Sequence, residues 1–377
     1  MENNKIRFVL IGGFLGAGKT TLIGELARRY VAAGKKVGII TNDQAADLVD
    51  TRNLRSQGFN VGEVAGACFC CSFDDLVSTA DSLASDQTPD VLLAEPVGSC
   101  TDLVATIVLP LQQMWGDRFE LAPFGVLLKP SHGRRILATG DDQPRSGFSP
   151  QAEYIFRKQL EEADYLMIGR SDEQTDEQIA QLTNALEAVA DGVPVIAVSP
   201  KNGDGVDEVL GYIESPMTAG RRLLDIDYDT YADGEAELGW VNMTANITSE
   251  SSVELDALAV KLVGLIAERI KQRQAEPFTG QIAHLKASVL AGDTQSVANV
   301  VSNDSQVDIG LASGRRVKGN IQVIVNARVA MDPDALESDC REQIDQIAKE
   351  IGLTVVDVNA HSLRPGRPTP THRVSAS

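Results

Sequence analysis

The run Gly13-Phe-Leu-Gly-Ala-Gly-Lys-Thr20 fits the spacing G-x-x-x-x-G-K-[ST]. A chain can cradle phosphates only by aiming several backbone N–H groups at their oxygens. The crowded or positive-φ positions this needs call for Gly13, Gly16 and Gly18, with Ala17 between them. Lys19 is spaced to reach the β- and γ-phosphates, and the Thr20 hydroxyl, followed by Thr21, to ligate Mg²⁺. A helix starting here would add the partial positive charge of its N-terminus. The reading is a nucleotide site rather than an unliganded Gly-rich turn.

Two acids follow at the ends of apolar stretches. Asp43 closes VGIITND and Glu95 closes DVLLAE, and both are expected on the Mg²⁺ side of the site. Gly98 comes three residues after Glu95, where its N–H could meet the γ-phosphate. E-x-x-G then reads as a switch that senses hydrolysis, with Lys19, Glu95 and Gly98 as the catalytic set. Base choice stays open. In Gly169-Arg-Ser-Asp172, Asp172 could accept hydrogen bonds from guanine N1 and N2 while Arg170 stacks on the ring. Ser199 and Lys201 fall where a loop would close over the base. Equally, Ser171 or Asp172 reads as the N-cap of a following helix.

Cys68, Cys70 and Cys71 form C-x-C-C on one short stretch. Three thiolates converging there suit a soft or borderline ion such as Zn²⁺, Cu(I) or Co²⁺, and leave a fourth position open. Metal is the reading over redox, because an adjacent pair such as Cys70–Cys71 makes a strained disulfide. Cys100 and Cys340 stand alone. Cys100 lies just after the switch, but it reads as a small core hydrophobe rather than a fourth ligand, as does Cys340. The cluster lies between the stretch ending in Asp43 and Glu95, so a metal there would be coupled to the nucleotide state.

Short apolar strands are expected at 6–11, 37–41, 90–94, 124–128, 164–168 and 193–198, with helical stretches between several of them. That alternation predicts a mostly parallel sheet covered by helices on both faces. This α/β domain spans residues 1–222, and the acidic, Gly-interrupted residues 223–238 read as a linker. Residues 239–361 switch to period-two strands with helices at about 253–273 and 333–350, in the order of a smaller ferredoxin-like α+β module with one wet face. Residues 362–377 are Pro-, Arg- and Ser-rich and read as disordered.

The 377 residues carry a net charge of −19, an excess that repels phosphate backbones and anionic lipid. No nucleic acid and no membrane partner is expected. The start of the chain reads as neither signal peptide nor span, so a cytoplasmic location and reduced thiols are expected.

The pieces "GFLGAGKTTL", "TND", "EVAGACFCC" and "EPVG", in this order, resemble the CobW-like family of P-loop GTPases, a metallochaperone and cobalamin-associated group. The resemblance covers residues 6–222. It implies a P-loop NTPase fold and a slow GTPase using GTP and Mg²⁺. It also implies Zn²⁺ or Co²⁺ at the cysteines, and delivery of that metal to a client metalloprotein or metal-cofactor enzyme. Several features depart from the family: Gly66-Ala67 before the first Cys, the missing Asn of the base motif, Lys129-Pro130 after the fourth strand, and the lack of a His-rich run. The alternatives are a nucleotide-gated partner-binding module with structural cysteines, or an ATP-using P-loop ATPase or kinase. A homo-oligomer is compatible with the sequence.

Overall fold

The computed structural model describes residues 5–43, 49–137, 148–273 and 279–375. Its first half runs β1 (Ile6–Gly12), α1 (Lys19–Ala32), β2 (Val37–Asp43), α2 (Val49–Ser56), β3 (Asn60–Ala65), α3 (Phe73–Asp86), β4 (Val91–Glu95), α4 (Leu109–Trp115), β5 (Phe119–Leu121), β6 (Gly125–Leu128), α5 (Pro130–Ile136), α6 (Pro150–Glu161), β7 (Tyr165–Ile168), α7 (Asp176–Val189), β8 (Val195–Ala197) and α8 (Val206–Ile213). All pairings in this sheet are parallel, in the order β3-β2-β4-β1-β6-β7-β8, with short β5 also beside β1. The central strands are buried almost throughout because helices cover both faces, which is why they read as unbroken apolar runs. β3 and β5 lie outside the six expected strands. β3, Asn-Val-Gly-Glu-Val-Ala, is an edge strand with an interior glycine and carries little apolar signal.

This order sets the site. The loop after β1 sits between β4 and β6, and register pairs Leu10 with Ala94 and Thr41 with Glu95. The carboxyl ends of β1, β2 and β4 therefore line up along one edge, the edge at which open parallel sheets bind ligands.

The segment expected as a linker holds α9 (Tyr228–Ala236), capped by Asp227 and packed on α6, with Tyr231 and Glu235 buried. The second half continues as β9 (Gly239–Glu254), α10 (Leu255–Lys271), β10 (Gln281–Ala291), β11 (Thr294–Val300), β12 (Asp308–Leu311), β13 (Arg316–Ala330), α11 (Pro333–Ile351) and β14 (Leu353–Leu363). The sheet is antiparallel, ordered β12-β11-β10-β13-β9-β14. With the β11–β12 hairpin set aside, the order is ferredoxin-like. The chain is an α/β P-loop domain followed by a smaller ferredoxin-like α+β domain.

The second sheet has two different faces. On β13, Ile321, Val323, Val325, Ala327 and Val329 join Leu285, Ala287 and Val289 of β10 in the core beneath α10 and α11. The intervening residues face the first domain. There Gln322 accepts from Arg52 at 2.8 Å, Asn326 accepts from the Val49 N–H at 3.1 Å, and Ile324 packs on Val49. The face expected to be wet is thus laid against α2 and the phosphate loop.

Residues 364–375, expected to be disordered, run back across the first domain. Thr371 N–H donates to the Cys70 carbonyl at 2.9 Å and Val374 N–H to the Ala105 carbonyl at 2.9 Å. Arg373 pairs with buried Asp102 at 2.7 Å. The tail holds its place through specific partners far away in sequence, which its own composition does not display.

Candidate functional site

The phosphate loop starts from Gly13, whose φ of 134° is open to glycine, and a Cβ there would lie 2.1 Å from the Leu127 carbonyl oxygen. The Gly13 carbonyl accepts from Lys19 Nζ at 2.8 Å. Lys19 is 6 % exposed, and burial lowers its pKa while Glu95 and Asp50 pull the other way. Gly16, Ala17, Gly18, Lys19, Thr20 and Thr21 line a cavity of about 380 Å³ together with Glu95 and Gly98. A Cβ on Gly98 would lie 2.7 Å from the Leu15 side chain and 3.0 Å from its Cα, so the E-x-x-G loop is packed directly on the phosphate loop.

Thr20 Oγ1 donates to Glu95 Oε1 at 3.0 Å. The second oxygen, Oε2, is buried and has no hydrogen-bond partner among the described residues. Burial, then the charge of Asp50, pushes the Glu95 carboxyl up to about 7. Asp50, on α2, is half-buried; that burial works against its charge, yet Lys286 and His284 of the second domain outweigh it and hold the carboxyl down at about 2. Lys286 forms an ion pair with Asp50. An orphaned buried oxygen, a second carboxylate and a threonine hydroxyl are an all-oxygen donor set that fits Mg²⁺. Asp50 was not anticipated. Nothing in the sequence marks it, because the contact that matters crosses between domains. The expected partner, Asp43, ends β2, and its side chain lies outside the described residues.

At the other end of the cavity lie Asp172, Ser199 and Lys201, with Arg170 and Glu173. Ser171–Glu173 is a single tight turn, not the start of α7. That helix is capped by Thr175, which accepts from Gln178 N–H and completes a capping box. The N-cap reading of Ser171 or Asp172 is therefore corrected. Gly169, where the base motif lacks its Asn, packs against the phosphate loop, with room for a Cβ only 3.2 Å from the Ala17 carbonyl oxygen. Ser199 is fully buried and accepts from Asn202 N–H at 3.4 Å, while Lys201 and Asp172 are exposed at the rim. Trp240, His284, Lys286, Asn326 and Arg328 of the second domain complete the wall.

The cysteine stretch is the loop from β3 to α3. Asn42 of the "TND" run pins it. Its Nδ2 donates to the Val64 and Ala67 carbonyls at 2.9 and 2.8 Å, and its Oδ1 accepts from Phe69 N–H at 2.8 Å. A tight turn, Cys71 N–H to Cys68 carbonyl at 3.0 Å, brings the thiols together. The sulfurs lie 3.0 Å (Cys68–Cys70), 3.1 Å (Cys68–Cys71) and 3.8 Å (Cys70–Cys71) apart. Cys68 and Cys70 are buried and Cys71 is half-buried, with Thr369 N–H of the tail donating to its sulfur at 3.3 Å. The Cys100 thiol, read from sequence as core filler, is buried in the same core but is not one of the three sulfurs that lie within 4.8 Å of one another. The thiols of Cys100, Cys70 and Cys71 together hold the Cys68 thiol far below its usual pKa. Three sulfurs gathered within 4.8 Å of one another can hold a metal ion.

A family model described as the CobW/HypB/UreG nucleotide-binding domain matches residues 7–197, and the chain belongs to that family. The chain is similar to a zinc chaperone CobW from Sinorhizobium sp., at 29 % identity over 192 residues, covering 45 % of this chain and 52 % of that protein. It is similar to the zinc chaperone YeiR of Escherichia coli K12, at 29 % identity over 171 residues, covering 45 % of this chain and 47 % of that protein. The chain thus spans about half the length of these curated relatives. Among solved structures, Zn(II)-bound YjiA GTPase from E. coli aligns with 90 % of this chain and 99 % of its own, at 15 % identity and a TM-score of 0.37. No helix among the described residues is long and apolar enough to cross a membrane.

Proposed function

We propose that this protein is a slow GTPase that carries a transition metal, zinc or cobalt, on its cysteines and releases it to a client metalloprotein or metal-cofactor enzyme in the cytoplasm. The observation that carries the reading is the joining of a phosphate loop to a thiol cluster through two short connections. Asn42, beside Asp43, pins the cysteine loop. Gly98, packed on Leu15, leads into Cys100, which lies in the same buried core as Cys68 and Cys70. The names of the curated relatives support a metal-handling role.

In this reading the loop N–H groups of Gly13, Gly16, Ala17 and Gly18 and the Lys19 ammonium hold the β- and γ-phosphates. Thr20 and Glu95, with Asp50 beside them and Asp43 at the end of β2, would hold Mg²⁺, which supplies neutralising charge on the phosphate oxygens. Gly98 N–H reads the γ-phosphate. Asp172 accepts from the guanine edge, and the Ser199–Lys201 loop closes over the base. A γ-phosphate drawing on Asn42 and Gly98 tightens the thiol cluster, and its loss loosens it.

Linkage makes the coupling testable: if GTP tightens metal binding, metal tightens GTP binding by the same factor. The experiment is a titration of fluorescent GTP analogue with and without zinc or cobalt(II), with ATP and GTP as competitors and the metal content of the complex measured in parallel. The expected result is tighter GTP binding with metal, GTP displacing the probe better than ATP. Equal affinity with and without metal would sink the coupling. Preferential displacement by ATP would turn the reading to an ATPase.

A further inference from the structure

β10 of the second domain lies against the phosphate loop. A β-bulge breaks its register with β13 between Ile282 and His284. The extra residue, Ala283, is buried, and its carbonyl oxygen would lie 3.0 Å from a Cβ on Gly16. Val301, just past β11, stands 2.9 Å from the same point. Bulges re-aim the side chains beside them. Here Leu285 and Ala287 fill the second domain's core, while His284 and Lys286 line the cavity that also holds Lys19, Thr20, Glu95 and Gly98.

Lys286 differs from the other cations of this cavity in how it is held. Arg328 lies over the Trp240 ring, 4.0 Å from its centroid, and donates to the Val241 carbonyl at 3.2 Å and Asn242 Oδ1 at 3.0 Å. Arg170 pairs with Glu173 on its own loop at 3.1 Å. The Lys286 ammonium pairs with Asp50 Oδ1 of α2, and its side chain is 14 % exposed. An ammonium has three N–H donors. Among the described residues Asp50 is its one hydrogen-bond partner, so two donors are uncommitted in a largely buried position.

Bracing the two domains does not require this pair. Gln322, Ile324 and Asn326 of β13 already hold α2 through Arg52 and Val49. A cation with spare donors, set on the wall of a phosphate cavity and held by a single carboxylate, is instead placed to exchange that carboxylate for a stronger anion.

We propose that Lys286 is a γ-phosphate ligand supplied by the second domain: with GTP bound its ammonium passes from Asp50 to the γ-phosphate, and once that phosphate has left it returns to Asp50. The assignment rests on the nucleotide-hydrolysing reading above and deepens it by giving the second domain a part in the site. Two anions compete for one ammonium. A triphosphate carries the terminal charge that wins it, and a diphosphate, one phosphate shorter, leaves the Asp50 pair intact. No covalent bond to Lys286 forms or breaks, and Nζ keeps its proton throughout. An ammonium at the γ-phosphate also opposes the charge that builds on its oxygens during transfer.

The test is equilibrium binding of two fluorescent nucleotides, GDP and a non-hydrolysable GTP analogue, to the full-length protein. Lys286→Ala should weaken the analogue about tenfold or more and GDP less than about twofold. Lys286→Gln keeps a donor for Asp50 and should shift the ratio of the two affinities in the same direction. Lys286→Arg, which keeps the charge, should restore most of it. A residue that only braces the domains would move both nucleotides together. An unchanged ratio in Lys286→Gln, or equal losses for both nucleotides, would overturn the proposal. On the wild-type protein, acylation of Lys286 by an amine reagent, read by peptide mass spectrometry, should be slower with the analogue than with GDP. Equal rates would overturn the proposal even if no variant folds. Failure of the wild-type protein to bind either nucleotide would instead overturn the nucleotide reading itself.

Discussion

The molecule sets two different groups at the carboxyl ends of one sheet, a cavity and a thiol cluster. The phosphate cavity mixes both signs of charge, with Lys19 at its floor, Arg170 and Lys201 at the rim, Lys286 and Arg328 reaching in from the second sheet, and Asp50, Glu95 and Asp172 among them. The thiol cluster gathers three sulfurs and is met by the tail, Thr369 N–H at the Cys71 sulfur and Thr371 N–H at the Cys70 carbonyl. One lies along the phosphate loop, Glu95 and Gly98; the other is pinned by Asn42, beside Asp43 at the end of β2, so short stretches of chain separate them. Two ligands of opposite charge can thus influence each other through a few residues of backbone, without any rearrangement of the sheet.

The largest effect expected separates the two. Lys19→Ala should lower GTP turnover or affinity on the order of a hundredfold, while the metal bound per chain in the absence of nucleotide stays the same. A parallel loss of metal would mean the pockets are not separable. Lys286→Ala comes next. It leaves half-buried Asp50 without its ion-pair partner; the two side chains are 14 % and 21 % exposed. Stability in urea should fall by about 1–3 kcal/mol, with metal content unchanged. An unaltered urea midpoint would show that the second sheet does not brace the phosphate pocket.

A third measurement addresses the frame beneath the thiol pocket. Glu162 is buried, accepts from Thr101 Oγ1 at 3.2 Å and Val104 N–H at 3.1 Å, and burial pushes it up to about 8 from 4.5. The folded protein therefore keeps a proton that the unfolded chain loses. The associated stability is fully present below about 4.5 and is lost as pH rises through about 8. Glu162→Gln should flatten that decline, read as urea midpoints at pH 5.5 and 8.5; an unchanged slope would place the titration elsewhere. The smallest effect is kinetic. Arg373→Ala removes the tail's anchor on Asp102, and the thiols should react severalfold faster with an aromatic disulfide reagent. An unchanged rate would show that the tail does not cover them.

The parallel sheet and the phosphate loop were legible because their signals are local: unbroken apolar runs, and a glycine spacing fixed by phosphate geometry. The ferredoxin-like order of the second domain was legible for the same reason, through its period-two strands. What stayed hidden depends on partners distant in sequence. The acidic stretch around Tyr231 and Glu235 reads as a linker until α6 is there to bury it. Residues 364–375 read as solvated until Asp102 and the Cys70 carbonyl are in place. Asp50 has no motif; Lys286, 236 positions away, makes it part of the site.

β13 serves two masters: its odd residues from Ile321 to Val329 fill the core of one domain, and the even ones face the other, Gln322 and Ile324 on α2 and Asn326 and Arg328 on the pocket. Losing or gaining a single residue there would turn core outward and wall inward together. This strand is therefore closed to insertion and deletion, and its history can be written only in substitutions. The two domains must be inherited as a matched pair, since exchanging the second for a relative with a different register would dismantle the first domain's pocket as well.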